Sequence, residues 1–214
     1  MKLPITDLRI SVDIINSMEP ISFQGPITVV DNGEKAEIAL NKLFSAEIIG
    51  FDTESRPAFF KGQKFPVSII QLATQDEAFI FQLKYVPFSG RLVELLSSNK
   101  IIKVGVGVQD DIRRLSDLHK FKPANFYDLS AEMKKKGIVQ SGARAITARY
   151  LGRKLVKSSQ KTNWAHSYLT ERQLEYAATD AWICLQLINH VKNDNTNYKA
   201  MIEAELREKN TETK

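Results

Sequence analysis

Two acidic side chains, one residue apart, end an apolar segment in the first quarter of the chain. Asp52 and Glu54 follow residues 48–51, whose composition is typical of a buried strand. Side chains i and i+2 of a strand point to one face, so both carboxylates are expected on the same side of a sheet. Two like charges there require raised pKa values or a bound cation, and oxygen ligands suit a hard divalent metal ion. The alternative is that Asp52 ends the strand and Glu54 lies in a solvated loop.

A third candidate carboxylate lies on a predicted amphipathic helix in the middle of the chain. Val108, Ile112 and Leu115 recur at helical spacing, and Asp111 lies at the edge of the apolar stripe that they form. Asp110 falls on the opposite face, where its charge favours the helix N-terminus. We therefore select Asp111 as the functional carboxylate. The alternative is an ordinary first-turn residue.

A tyrosine and a fourth carboxylate are spaced four residues apart near the end of the chain. Tyr176 and Asp180 therefore lie above one another on one helix face, where the carboxylate can bind a metal ion and the phenol can orient a water molecule. Ala177, Ala178 and Ala181 leave room for the helix to approach a sheet closely. The alternative is a buried hydrogen bond between Tyr176 and Asp180.

Five strands and six helices are predicted to position these side chains. Short apolar runs and turn signals predict the strands at residues 27–30, 48–54, 67–72, 78–81 and 101–104. Helical periodicity predicts the helices at residues 34–43, 92–96, 112–118, 129–136, 143–151 and 171–192. This order indicates an α/β or α+β sheet covered by helices.

One domain accounts for most of the 214 residues. We place it at residues 27–192. Residues 1–26 are expected to be an N-terminal extension that packs onto the domain. Residues 193–214 form a polar tail, expected to be a loose helix or disordered.

Composition limits the setting and the partners of the chain. The sequence has no run of about 18 apolar residues, so no membrane-spanning helix is predicted. Cys184 is the only cysteine and no signal-peptide pattern follows Met1, so we expect a cytoplasmic, or at least intracellular, location. The net charge of +5 and the pI near 9.2 favour a polyanionic partner. The sequence gives no indication of the oligomeric state.

Three segments, taken in order, resemble the exonuclease motifs of the DEDD superfamily in its tyrosine (DEDDy) branch, to which ribonuclease D and the Werner syndrome helicase exonuclease domain belong. They are residues 51–54, 103–115 and 176–181. Supporting similarity occurs at residues 70–72 and 162–164. Three motifs in the same order are far more specific than any one of them.

The resemblance implies a ribonuclease H-like α/β fold, with a mixed five-stranded sheet and helices on both faces. It also implies metal-dependent removal of nucleotides from the 3′ end of DNA or RNA, with release of nucleoside 5′-monophosphates. Asp52, Glu54, Asp111 and Asp180 would bind two Mg²⁺ or Mn²⁺ ions, and Tyr176 would position the attacking water. A non-catalytic nucleic-acid-binding protein with the same fold is the alternative.

Basic and aromatic side chains are candidates for substrate contacts. Phe59 and Phe60 are suited to stacking on terminal bases. Lysines and arginines suited to phosphate contacts follow the first motif and precede the third: Lys61, Lys64, Arg144, Arg149, Arg153, Lys154, Lys157 and Lys161. For each of these side chains separately, a solvated or packing role is the simpler alternative. We expect phosphate contacts from some of the basic residues.

Two glycines precede Asp111 in a pattern that partly matches a dinucleotide-binding loop. Asp110 stands where the third glycine of G-x-G-x-x-G is required, so we reject that interpretation. Gly105 and Gly107 are instead expected to allow a tight turn from a strand into the helix. His166 is expected to be a surface residue near Trp164.

Overall fold

The central element of the protein is a six-stranded sheet. The computed structural model describes residues 9–60, 62–156, 159 and 161–212. The strands are β1 (Ile27–Val30), β2 (Ile48–Ser55), β3 (Val67–Ala73), β4 (Ala78–Gln82), β5 (Ile102–Gly105) and β6 (Phe126–Asp128). They are arranged in the order β1-β4-β3-β2-β5-β6.

The sheet is mixed, and β2 lies inside it. Strands β2, β3 and β4 form an antiparallel meander, whereas β1, β5 and β6 pair in parallel with their neighbours. Asp52 pairs with Gln71, and Glu54 pairs with Ile69. The register shifts between Glu54 and Ser55, so regular pairing is interrupted directly after the two acidic residues.

Eight helices accompany the sheet in the part of the chain that the structure describes. They are α1 (Val12–Ser17), α2 (Gly33–Phe44), α3 (Gly90–Ser97), α4 (Val108–Leu118), α5 (Leu129–Lys135), α6 (Ala143–Leu151), α7 (Glu171–Asn193) and α8 (Tyr198–Glu212). Each helix predicted from periodicity is present, with shifts of a few residues at the ends. None of the described helices is both long and apolar enough to cross a membrane.

Alternating side chains of the strands divide the core between the two faces of the sheet. Phe51 and Leu72 pack with buried residues of α2, α3 and α4 on one face. Ile69 and Ile80 pack with α7 on the other, where Val104 also meets α5, α6 and α7. Helices therefore cover both faces, as predicted.

The expectation of five strands was wrong by one. Strand β6 pairs in parallel with β5 through Lys103, Val104 and Gly105. It has only three residues and lies at the edge of the sheet, so it lacks the apolar run by which buried strands are recognised.

Both segments outside the predicted domain contact it. Ile10 and Ile15 are buried against Ala148 of α6. In the polar tail, residues 198–212 form α8, which begins with the fully buried Tyr198. The boundaries at residues 26 and 192 remain predictions.

Candidate active site

Strand β2 and helix α7 approach each other unusually closely at the candidate site. Gly50, Asp52 and Glu54 alternate along β2 and so share one face. A Cβ atom added to Gly50 would lie 1.9 Å from the carbonyl oxygen of Ala181, which is closer than any real contact. The absence of a side chain at Gly50 therefore lets α7 lie against the strand that carries the two carboxylates. The small Ala181 supports the predicted close approach.

The two carboxylates of β2 occupy an environment that disfavours their charged forms. Burial raises the pKa of Asp52 well above its usual range, and the charges of Asp180, Asp111 and Glu54 raise it further. Burial, followed by the charge of Asp180, raises the pKa of Glu54 to about 8. Because one charge shifts the pKa of another group only at short distance, Asp52, Glu54, Asp111 and Asp180 lie near one another.

Asp111 lies in the first turn of α4 and faces the end of β2. The turn into the helix uses Gly107, whose φ of 78° is in the left-handed region that favours glycine. The Thr53 hydroxyl donates a hydrogen bond of 2.5 Å to the Asp111 carboxylate. Burial raises the pKa of Asp111 to about 6, although that hydrogen bond and Arg114 partly oppose the shift. The tight turn predicted from the glycines is confirmed.

The neighbouring Asp110 has a different environment, as its predicted position on the opposite helix face suggests. It is exposed and forms an ion pair of 3.1 Å with Arg113 on the same helix. Asp110 and Asp111 are thus adjacent in sequence but differ in burial and partners. This pair provides a matched control for experiments on the site.

Helix α7 contributes the tyrosine and the fourth carboxylate. The Tyr176 hydroxyl is hydrogen-bonded to Asp180, and burial together with that carboxylate raises the pKa of the phenol. Tyr176 is only 7% exposed, and its ring lies 5.9 Å from that of Trp164 between centroids. The phenol is therefore held in one place and stays protonated at neutral pH.

The donor set formed by Asp52, Glu54, Asp111 and Asp180 suits a hard cation. All four are carboxylates, and Arg114 is the cationic group that acts on Glu54 and Asp111. In the described part of the chain, no three acidic, histidine or cysteine side chains already have the geometry of a metal site. Mg²⁺ does not require such a group, because one or two carboxylates, waters and substrate phosphate usually complete its shell.

Sequence reasoning gave no role to two polar side chains beside the site. Thr53 lies between the two acidic residues of β2, and its bond to Asp111 joins β2 to α4. Gln71 pairs with Asp52 across the sheet and is fully buried, and neither amide atom has a hydrogen-bond partner among the described residues. The motif at residues 70–72 included Gln71, but its position opposite Asp52 depends on strand register.

A cleft of about 660 Å³ opens beside Glu54. Its basic lining residues are Arg56, Lys64, Arg113 and Arg114. Phe59 and Phe60, in the same loop as Arg56, are each 76% exposed. The cleft therefore places four basic side chains next to the acidic site, together with the carboxylates of Asp110 and Asp117. The two exposed rings belong to the loop beside the cleft.

Five of the eight residues predicted to contact phosphate have other roles or lie outside the described residues. Arg149 is buried and lies 5.7 Å from the ring centre of Tyr198. Arg144 and Lys154 donate hydrogen bonds to Asn16. Lys64, Arg153 and Lys161 are exposed, whereas Lys61 and Lys157 lie outside the described residues. His166 is exposed next to Trp164, as expected.

Comparison with known proteins gives a family match over most of the chain. The model of a family described as 3′-5′ exonuclease matches residues 27–195. The bifunctional 3′-5′ exonuclease/ATP-dependent helicase WRN of Mus musculus is 30% identical over 158 residues, which are 71% of this chain and 11% of that protein. A putative 3′-5′ exonuclease of Acanthamoeba polyphaga mimivirus is 30% identical, over 68% of this chain and 40% of its own. This chain thus spans less than half the length of either relative.

A solved structure shows the same fold. The Trypanosoma brucei RNase D complex with RNA U12 superimposes with a TM-score of 0.73 at 22% identity, over 86% of this chain and 65% of that one. The ribonuclease H-like α/β fold predicted from the motifs is confirmed, with six strands in place of five. The resemblance that the motifs predicted is confirmed as well.

Proposed function

Since the chain belongs to the 3′-5′ exonuclease family, we propose that it hydrolyses phosphodiester bonds from the 3′ end of a nucleic acid and releases nucleoside 5′-monophosphates. The observation that carries this proposal is the mutual electrostatic influence of four carboxylates from β2, α4 and α7 beside a buried tyrosine. A buried acidic cluster lowers the stability of the fold, and a role in binding or chemistry explains its presence.

The four carboxylates would hold two divalent metal ions, Mg²⁺ or Mn²⁺. These side chains, Asp52, Glu54, Asp111 and Asp180, supply hard oxygen ligands from three different elements. When bound, the ions would activate the attacking water and stabilise the leaving oxygen. The raised pKa values of Glu54 and Asp111 mean that cations compete with protons for the same oxygens.

Tyr176 would position the attacking water and would not remove its proton. Its phenol stays protonated because burial and Asp180 raise its pKa. A protonated hydroxyl donates one hydrogen bond and accepts others, so it can orient water beside the carboxylates. This role would assign the chain to the tyrosine branch of the superfamily.

The basic cleft would bind the nucleic acid backbone that leads to the site. Arg56, Lys64 and Arg113 are exposed there, and phosphate contacts from such side chains are independent of sequence. Phe59 and Phe60 present faces on which bases of any type can stack. The T. brucei RNase D was solved with RNA, which supports RNA as a substrate. We propose DNA as well, because backbone and stacking contacts do not depend on base sequence.

Single substitutions in purified protein test this function. We expect Asp52→Ala, Asp180→Asn and Asp111→Asn to abolish nucleotide release from a 5′-labelled oligonucleotide in Mg²⁺ or Mn²⁺. Asp110→Asn removes the same charge one residue away, at an exposed position, and should retain activity. Full activity of folded Asp52→Ala or Asp180→Asn contradicts the proposal. If the wild-type protein binds nucleic acid but releases no nucleotides from any DNA or RNA end in the presence of metal ions, a non-catalytic nucleic-acid-binding protein is favoured.

A further inference from the structure

Gln71 is a buried polar side chain without a hydrogen-bond partner among the described residues. It lies within β3 and is fully buried, and both the nitrogen and the oxygen of its amide are unpartnered. A buried donor and a buried acceptor that both lack partners lower the stability of a fold. Since nearly all buried polar groups in native proteins are hydrogen-bonded, this amide requires an explanation.

The register of the sheet places Gln71 beside Asp52. The two residues pair directly between β3 and β2, so their side chains point to the same face. The Cβ atoms of such a pair are about 4.5 to 5.5 Å apart, which is within reach of a glutamine amide. The Asp52 carboxylate accepts a hydrogen bond of 2.9 Å from the backbone N–H of Thr53, and three neighbouring carboxylates repel it. Gln71 therefore carries an unused donor next to a carboxylate that needs one.

The oxygen of the Gln71 amide has a matching donor on the same face of the sheet. Ile69 along β3 and Ile80 across β4 are the neighbours of Gln71 there, and both pack with Trp164. Trp164 is 1% exposed, and its Nε1 is likewise unpartnered among the described residues. An indole N–H can only donate, so it suits the amide oxygen and leaves the amide nitrogen for Asp52. One buried water can complete such a chain of polar groups.

We propose that Gln71 is a positioning residue for the reaction, whose amide nitrogen donates to the Asp52 carboxylate when a divalent metal ion is bound there and whose oxygen accepts from Trp164. This inference rests on the metal site of the proposed function. A hydrogen bond to a ligating carboxylate fixes its orientation and strengthens metal binding. The Trp164 ring lies 5.9 Å from that of Tyr176 between centroids, so the same chain joins a ligand on β2 to the tyrosine on α7.

Gln71→Met tests the inference, because methionine is flexible and unbranched like glutamine but has no amide. Gln82→Met is the matched control. Gln82 is a buried glutamine on β4, and its amide nitrogen donates to the carbonyl oxygen of His166 at 3.1 Å. Three quantities are measured for each variant and for wild type. They are the urea midpoint of unfolding in EDTA, the Kd for Mn²⁺ by calorimetry, and the Mn²⁺ concentration that gives half-maximal nucleotide release from a 5′-labelled oligonucleotide.

The two variants should differ in opposite ways from wild type. Gln71→Met loses two buried unpartnered atoms, so its urea midpoint should equal or exceed that of wild type. Its Kd for Mn²⁺ and its half-maximal Mn²⁺ concentration should rise about tenfold or more, as when a metal ligand loses its supporting hydrogen bond. Gln82→Met loses a partnered amide, so its midpoint should fall while its Kd for Mn²⁺ matches that of wild type.

The Kd for Mn²⁺ separates positioning from a purely structural role. A structural role predicts a lower urea midpoint with an unchanged Kd, so an unchanged Kd in folded Gln71→Met overturns the inference. If circular dichroism shows that Gln71→Met is unfolded, Gln71→Leu replaces it, and the same rise in Kd is expected. Wild-type protein that neither binds Mn²⁺ nor releases nucleotides contradicts the proposed function itself. Wild-type protein that binds Mn²⁺ no more tightly than Gln71→Met contradicts the assignment of Gln71 alone.

Discussion

Single side chains at the site combine burial with repulsion from neighbouring carboxylates. Burial and the charge of Asp180 raise the pKa of Glu54 to about 8 in the folded protein, against an ordinary value of 4.5. Between these values the folded protein retains a proton that the unfolded chain has lost. The free energy of unfolding of the metal-free protein therefore falls as the pH rises across this interval. The same carboxylate becomes available to a cation as the proton leaves.

Glu54→Gln should reduce this dependence on pH, to which the raised pKa values of Asp52 and Asp111 also contribute. The neutral amide has no proton to lose, so we expect the metal-free variant to be more stable than wild type near pH 8 and close to it near pH 5. Urea denaturation in EDTA at both values measures the difference. Glu94→Gln, at an exposed position of α3, is the control and should follow wild type. If the free energy of unfolding of Glu54→Gln changes between the two pH values as much as that of wild type, the assigned burial and repulsion of Glu54 are contradicted.

Tyr176→Phe should reduce turnover without disturbing the fold. The phenyl ring keeps its contact with Trp164, while the hydroxyl bonded to Asp180 is lost. We expect kcat to fall by about 10²- to 10⁴-fold with KM little changed, as for loss of a group that orients the reacting water. Steady-state kinetics on a short oligonucleotide measure both constants. Tyr168→Phe, at a residue that is 92% exposed, should retain full activity. A normal kcat in Tyr176→Phe would exclude the positioning role.

Between elements, the packing of α7 on β2 determines whether the carboxylates meet. The contact depends on Gly50, because any side chain there would overlap the backbone of α7 at Ala181. Helix α4 is joined to the same strand through the Thr53 hydroxyl and Asp111. The site is therefore the place where two helices from opposite faces of the sheet meet one strand end.

Gly50→Ala is the substitution that tests this packing. Forcing α7 away from β2 should cost about 3 kcal/mol of unfolding free energy or more, and activity should fall with the displacement of Tyr176 and Asp180. Thermal denaturation and nucleotide release measure the two effects. Gly33→Ala, at the first residue of α2 with no atom within 4 Å of the added Cβ, should be neutral or slightly stabilising. If Gly50→Ala is as stable as wild type, the close approach of α7 to β2 is not needed for the stability of the fold.

Local pattern was sufficient to predict the elements that carry the site, because long apolar periodicity specifies helices such as α7 directly. It missed α1 and β6, which have six and three residues. Motif order indicated which carboxylates belong together. The contacts of Thr53 and Gln71 with their surroundings could not be predicted, because they depend on register and helix placement between remote segments. The internal roles of Arg149 and Lys154 were hidden for the same reason.

Across the described part of the molecule, residues 9–26 and residues 193–212 both contact the domain between them. The Asp194 carboxylate accepts hydrogen bonds from Tyr150 at 2.6 Å and Tyr198 at 2.8 Å. The fully buried Tyr198 lies in the core cluster that contains Val104 and Ile183. We therefore expect the folding unit to extend at least to Tyr198.

Tyr198→Ala tests the contribution of this segment. Removing a buried aromatic side chain and its hydrogen bond should lower the free energy of unfolding by about 3 to 5 kcal/mol. At temperatures where the variant remains folded, nucleotide release should persist, since Tyr198 is not among the site residues. Lys199→Ala, at the exposed neighbour, is the control and should leave stability near that of wild type. A stability loss below about 1 kcal/mol in Tyr198→Ala would mean that the segment adds little to the fold.

The central claim is that the acidic cluster removes nucleotides from a 3′ end with the help of divalent metal ions. Its most direct test follows 5′-labelled single-stranded DNA and RNA in Mg²⁺, in Mn²⁺ and in EDTA on a sequencing gel. The account predicts a ladder of labelled products that shorten one nucleotide at a time, with nucleoside 5′-monophosphate as the second product and no reaction in EDTA. The account is contradicted if both DNA and RNA stay at full length in Mg²⁺ and in Mn²⁺. It is also contradicted if the 5′ label is released first, as a mononucleotide.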